Sequence, residues 1–264
     1  MKTTLEYYVL LFFASAVLGW AMEVICKLIQ FRRFINRGFL LGPYCPIYGF
    51  GAVAVTALLT RYADSPVLVF VMALLICGAL EYATSCLMEK LFHARWWDYS
   101  QRRLNLNGRV CAATLIPFGL LGLAMIYAVK PFLFGLFARM PGAALDWTCI
   151  ALTAVFAVDC IVSATALGHI RHAAETVPGD STEALTQAVR ERLLKSRLAQ
   201  RTLRAFPYAQ IYNRNLRARI SQAQREMRQS LLRRHAAMRE SAERWEQRAH
   251  SEIQSLRKHT NRHP

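Results

Sequence analysis

Residues 81–109 read EYATSCLMEKLFHARWWDYSQRRLNLNGR, and the fold follows from how this stretch is placed. It begins inside an apolar run that already carries Glu81 and Glu89. It leaves that run through Arg95-Trp96-Trp97-Asp98-Tyr99 and ends in the Asn-rich turn Asn105-Leu106-Asn107-Gly108-Arg109. Adjacent tryptophans between cationic and anionic residues suit a membrane–water boundary, where an indole ring sits half in lipid and half in water. The flanking apolar runs are long enough to span a bilayer, which excludes a loop of a water-soluble domain.

Working outward, the 264 residues carry 33 Lys+Arg against 17 Asp+Glu, and these charges divide near residue 170. Residues 1–170 hold 13 basic and 8 acidic side chains; residues 171–264 hold 20 and 9. The expected fold is therefore all-α, a polytopic membrane bundle (residues 1–170) followed by a basic helical cytoplasmic tail (171–264). Five spans are expected, over about residues 5–29, 39–60, 66–92, 110–129 and 147–168. The second opens with Gly42-Pro43-Tyr44-Cys45-Pro46. Prolines there leave backbone groups that lipid cannot satisfy, so either the helix starts near Ile47 or the stretch is re-entrant and packed against protein. Lys130-Pro131 is expected to end the fourth span, leaving 132–137 at the interface. The N-terminal run is too long for a secretory signal core and is kept as a helix of the mature chain.

The turns after spans one and three hold nine Lys and Arg residues, and the opposite side holds four. With the basic tail on the richer side, the expected location is the plasma membrane, multi-pass, with the N-terminus outside and the C-terminus cytoplasmic. In the tail, apolar residues from Leu216 to Leu256 recur near a period of about 3.6, the mark of an amphipathic helix. An earlier helix is expected around Glu183–Ala205, ended by Pro207.

The acids of interest in or at the ends of the spans are Glu23, Glu81, Glu89 and Asp159. A mid-membrane charge costs about 2.5–3.5 kcal/mol on insertion scales, so it faces a partner or a water-filled cavity. Glu81 and Glu89 are about 80° apart on one helix and share a face with Ser85. An acid–base cluster at the inner boundary is expected, with Asp98 near Arg95 or Arg109. Its functional reading is a polar substrate or ion site formed by Glu23, Arg37 and Glu81; its structural reading is a set of ion pairs that fix helix positions. Asp159 has no basic residue at its depth in another span, and desolvation favours its neutral form.

Other chemistries are not indicated. The chain has no GxxxxGK[ST] and so carries no P-loop ATPase of its own. The seven cysteines and the histidines show no zinc spacing, so no metal, cofactor or disulfide framework is expected. His93 reads as a surface histidine. The tail's interleaved acids suit an anionic lipid surface or a partner helix better than nucleic acid.

The motifs resemble a known family. Residues 36–49 (NRGFLLGPYCPIYG), Leu80-Glu81-Tyr82, 95–99 (RWWDY) and 105–109 (NLNGR), with Trp20 and Glu23, are similar to the ABC transporter type IV (CmpB-like) membrane proteins. The resemblance covers about residues 5–130, with the fifth span and the tail outside it or only loosely inside. It implies a permease subunit that works with a separate ATPase, the turns at 30–38 and 93–109 being the contact surface. Its family-pattern positions are Glu23, Asn36, Arg37, Pro43, Pro46, Tyr48, Glu81, Tyr82, Glu89, Trp97, Asp98, Asn107 and Arg109. Expected partners are membrane lipids, that ATPase, a helix on the tail and, as an open option, a second copy of the chain. Two alternatives remain open. One is a scaffold anchoring the tail. The other is an enzyme on lipid headgroups, with Glu81 or Asp98 as base and Arg37 or Arg109 holding phosphate.

Overall fold

In the computed structural model, the described residues are 2–32, 34–36, 38–92, 94–176, 182–192, 200–201, 204–205, 209–211 and scattered positions between 222 and 238. Arg33, Arg37, His93 and most of the stretch expected as an amphipathic tail helix lie outside them. Residues 1–213 form one compact unit and residues 214–264 another.

The first unit is a helical membrane bundle. Its elements are α1 (Lys2–Phe31), α2 (Pro46–Leu59), α3 (Pro66–Phe92), α4 (Ala112–Ala124), α5 (Lys130–Phe137), α6 (Gly142–Thr176) and α7 (Thr182–Arg192). Four stretches are long and apolar enough to cross a membrane: Thr3–Phe31, Pro66–Phe92, Ala112–Phe137 and Gly142–Thr165. Leu5, Val67, Phe132 and Val155 stand exposed on their outer faces, as lipid-facing positions must.

The second expected span differs from these four. Its helix starts at Pro46 and has 14 residues, about 21 Å at ~1.5 Å per residue, short of a hydrocarbon core of about 30 Å. Pro46 occupies the first helical turn, where its missing N–H removes no hydrogen bond. Residues 38–45 before it are not helical. They pack on α1 instead, with the Cys45 N–H donating to the Ala16 carbonyl at 2.9 Å. Close approach of the two helices needs Gly49: a Cβ there would stand 2.7 Å from the Phe12 carbonyl oxygen.

The fourth span also departs from expectation. Lys130-Pro131 does not end it, because the helix widens to a π turn over Met125–Val129 and continues as α5. A wide turn accommodates a proline that a regular helix would not. Lys130 Nζ donates to Thr60 Oγ1 at 3.1 Å and the Tyr127 hydroxyl to the Ala63 carbonyl at 2.6 Å, tying this turn to the far end of α2. A core of Leu10, Leu11, Ala52, Leu133, Phe137 and Leu145 joins α1, α2, α5 and α6 at that same end.

Between α3 and α4 lies the motif loop, with β1 (Ala94–Arg95), β2 (Asn105–Leu106) and β3 (Val110–Cys111). Strands β2 and β3 pair antiparallel around Asn107-Gly108. Both turn residues have positive φ, 54° and 66°, which is why an Asn-Gly pair is needed there. A Cβ on Gly108 would run into Asp98 Oδ1.

Candidate functional site

The loop does not hang free in water; it folds back against α3 and α1. Trp96 is 4% exposed and meets Phe39 edge-on, ring centres 4.8 Å apart. The loop therefore touches the irregular 38–45 segment and carries polar side chains against the C-terminal half of α3. Three groupings result.

The first is an ion-pair network around Glu89. Arg109 donates to Glu89 Oε2 at 2.8 Å and to Ser85 Oγ at 3.0 Å. Arg95 stands 3.7 Å from the same Glu89 oxygen and 3.4 Å from Asp98 Oδ1, and donates to the Asn107 carbonyl at 2.9 Å. Asp98 thus pairs with Arg95, one of its two expected partners, and also accepts from the Ser100 N–H and hydroxyl. Asn107 donates to the Tyr82 hydroxyl at 2.9 Å, the Trp97 indole donates to the Arg109 carbonyl at 3.2 Å, and the Arg109 guanidinium lies over the Tyr82 ring. Tyr82, Glu89, Trp97, Asp98, Asn107 and Arg109 are therefore one connected set. With Arg109 committed to Glu89 and Ser85, its guanidinium is poorly placed to hold a phosphate.

The second grouping is built from carboxylates and hydroxyls. Glu81, 6% exposed, accepts from the Tyr99 hydroxyl and from Thr114 Oγ1, each at 3.4 Å. Both bonds are long, and among the described residues no basic side chain pairs with Glu81. Nearby, Tyr48 donates to Glu23 Oε1 at 2.9 Å. Tyr99 links the two carboxylates electrostatically: burial first, then the charges of Glu81 and Glu23, push its phenol well above its ordinary value. Next along α1, Trp20 donates to Asn36 Oδ1 at 2.8 Å, fixing the turn that leads to Arg37. Arg37 itself, expected beside Glu23 and Glu81, lies outside the described residues.

The third grouping answers the question of Asp159. Its oxygens accept four hydrogen bonds: from the Leu41 and Gly42 N–H groups at 2.8 and 2.7 Å, the Tyr44 hydroxyl at 2.5 Å and Ser163 Oγ at 2.8 Å. Three of these groups come from the 38–45 segment and one from α6 itself. The partner is the backbone of the broken segment rather than a basic side chain of another span. The nearby cation comes from the tail instead: Arg201 donates to the Leu41 carbonyl at 3.0 Å. Burial lowers the Arg201 guanidinium's proton affinity and the Asp159 charge opposes that.

Tyr99, Thr114, Ser163 and Arg201 were not singled out as site residues from the sequence. The only signal for Tyr99 was its place in the RWWDY motif. Among the described residues, no group of three or more His, Cys, Asp or Glu side chains is placed to hold a metal ion.

These features define an all-helical membrane protein with polar side chains gathered against one end of the bundle. The chain belongs to the family described as Putative ABC-transporter type IV, whose family model matches residues 10–164. The match takes in the membrane part of α6 and Asp159, further than the motifs alone reach. No curated protein and no solved structure matches the chain.

Proposed function

We propose that the chain is a permease-type component of a transporter in the plasma membrane, working with a separate ATPase subunit. The observation that carries this reading is Glu81, a carboxylate buried in a spanning helix and held, among the described residues, by two long hydroxyl hydrogen bonds rather than by a cation. A purely structural acid in a membrane is normally neutralised, as Glu89 is by Arg109. An acid left to hydroxyls keeps acceptor capacity for a cationic or hydroxylated substrate. The broken 38–45 segment supports the same reading, since irregular backbone inside a bundle is how transporters expose binding groups. In this reading Glu23, Tyr48, Glu81 and Tyr99 face the substrate, with Asn36 at their edge. The set Tyr82, Glu89, Trp97, Asp98, Asn107 and Arg109 fixes the loop that covers them.

The loop at 94–111 and the turn at 32–45 then face the cytoplasm with the tail, and the N-terminus lies outside. The family match supports a coupling surface on that side. The test is gentle purification from native membranes and mass spectrometry of what stays bound. A stoichiometric ATPase subunit is the expected result. Its repeated absence, with a cytoplasmic protein or lipid held on the tail instead, would replace the permease reading with that of a membrane-anchored scaffold.

A further inference from the structure

The family match ends at residue 164, yet the chain beyond it is built into the same compact unit. Helix α6 runs on to Thr176 and α7 packs back along it. Ile170, Leu185, Val189 and Ile211 are fully buried, and Ala205 and Ala209 nearly so. Removing four branched aliphatic side chains from water is what holds this layer in place. A loosely trailing tail would not be packed in this way.

The layer grips the bundle at two points, and both are irregular segments of the family motif. At the first, β4 (Gln210–Ile211) pairs antiparallel with β1 of the motif loop, Ala94 opposite Ile211 and Arg95 opposite Gln210. Ala94 is fully buried there. The Ile211 N–H donates to Thr186 Oγ1 at 3.1 Å, fastening the strand to α7. At the second, Arg201 donates to the carbonyl of Leu41, whose own N–H donates to Asp159. One stretch of chain therefore holds the motif loop and the 38–45 segment together from the cytoplasmic side. Each grip is small, but they act through one covalent segment, so displacing either loop strains the contact with the other.

We propose that α7, Arg201 and β4 form a strap that clamps the two motif segments in the closed arrangement seen here, and that releasing it opens the inner face. The strap is a property of this chain's own extension past the family region, and it holds whether or not the chain is a permease. It also occupies the edge of β1, so anything that pairs with the motif loop by strand addition must first displace β4.

Two native thiols report on it. Cys45 and Cys111 are buried, one at the end of each clamped segment, while Cys149 lies at the other end of the bundle. The experiment is alkylation of the full-length protein in native membrane vesicles by N-ethylmaleimide, read site by site by mass spectrometry. Two variants loosen the grips separately: Ile211→Pro removes the N–H that fastens β4 to Thr186 and the buried side chain opposite Ala94, and Arg201→Gln removes the guanidinium. The expected result is at least fivefold faster labelling of Cys45 and Cys111 in either variant, with Cys149 unchanged. Unchanged rates at Cys45 and Cys111 in both variants would overturn the strap. So would equal acceleration at all three thiols, which would mean general unfolding. If Ile211→Pro fails to accumulate, Arg201→Gln alone decides between these outcomes.

Discussion

Glu81 and Glu89 sit two turns apart on α3, face the same motif loop and are treated in opposite ways. Glu89 is met by two guanidinium groups and lies within a set of hydrogen bonds that runs through Ser85, Asp98, Asn107 and Tyr82. Glu81, more deeply buried, receives two hydroxyls at 3.4 Å. The loop has cations enough for both acids, and its geometry spends them on one. The difference separates two kinds of acid: the Glu89 network fixes where the loop sits, whereas Glu81, among the described residues, meets hydroxyls alone.

The comparison breaks most readily at Arg109. Arg109→Ala leaves Glu89 with Arg95 alone, and opening a buried pair from one side costs about 3–5 kcal/mol. The melting temperature of the purified protein in mild detergent is expected to fall by several degrees, at about 2–4 °C per kcal/mol. Replacing Glu89 and Arg109 together by Met should cost much less than either single change.

Asp159→Ala tests whether the third grouping is also a joint. It strips the acceptor from two backbone N–H groups, a tyrosine and a serine, and a loss of about 2–3 kcal/mol is expected by the same measurement. Gly108→Ala puts a side chain where φ is positive and Asp98 is in the way, and about 1–3 kcal/mol is expected. Tyr99→Phe lies on the other side of the comparison. It removes one long hydrogen bond and should cost no more than about 1 kcal/mol, while altering whatever membrane activity the wild-type chain restores to cells lacking it.

The helices were legible because apolar runs of membrane length admit few alternatives. The all-α class follows from composition, and the late start of α2, one of two alternatives the sequence leaves open, from proline chemistry. What was not legible depends on contacts without periodicity. Tyr99 and Thr114 come to Glu81 from 18 and 33 residues away, and a hydroxyl far off in sequence carries no signal of its target. Two of the four partners of Asp159 are backbone N–H groups, which every residue but proline has, so residue type does not announce them. Arg201 reaches Leu41 across 160 residues from the stretch expected as a helix of the basic tail. The fourth span was cut at Pro131 because a π turn leaves no mark in composition.

The central claim is that Glu81 is available for function and Glu89 is not. Its most direct test compares two isosteric variants, Glu81→Gln and Glu89→Gln, by melting temperature and by restored activity in the same cells. The account expects Glu81→Gln to stay within about 1 kcal/mol of wild type and to lose at least about tenfold in activity, a difference of ~1.4 kcal/mol in the barrier. It expects Glu89→Gln to lose stability first, with activity falling only as the folded protein does. If Glu81→Gln destabilises the protein as much as Glu89→Gln, or keeps full activity, the two acids are both joints and the account fails.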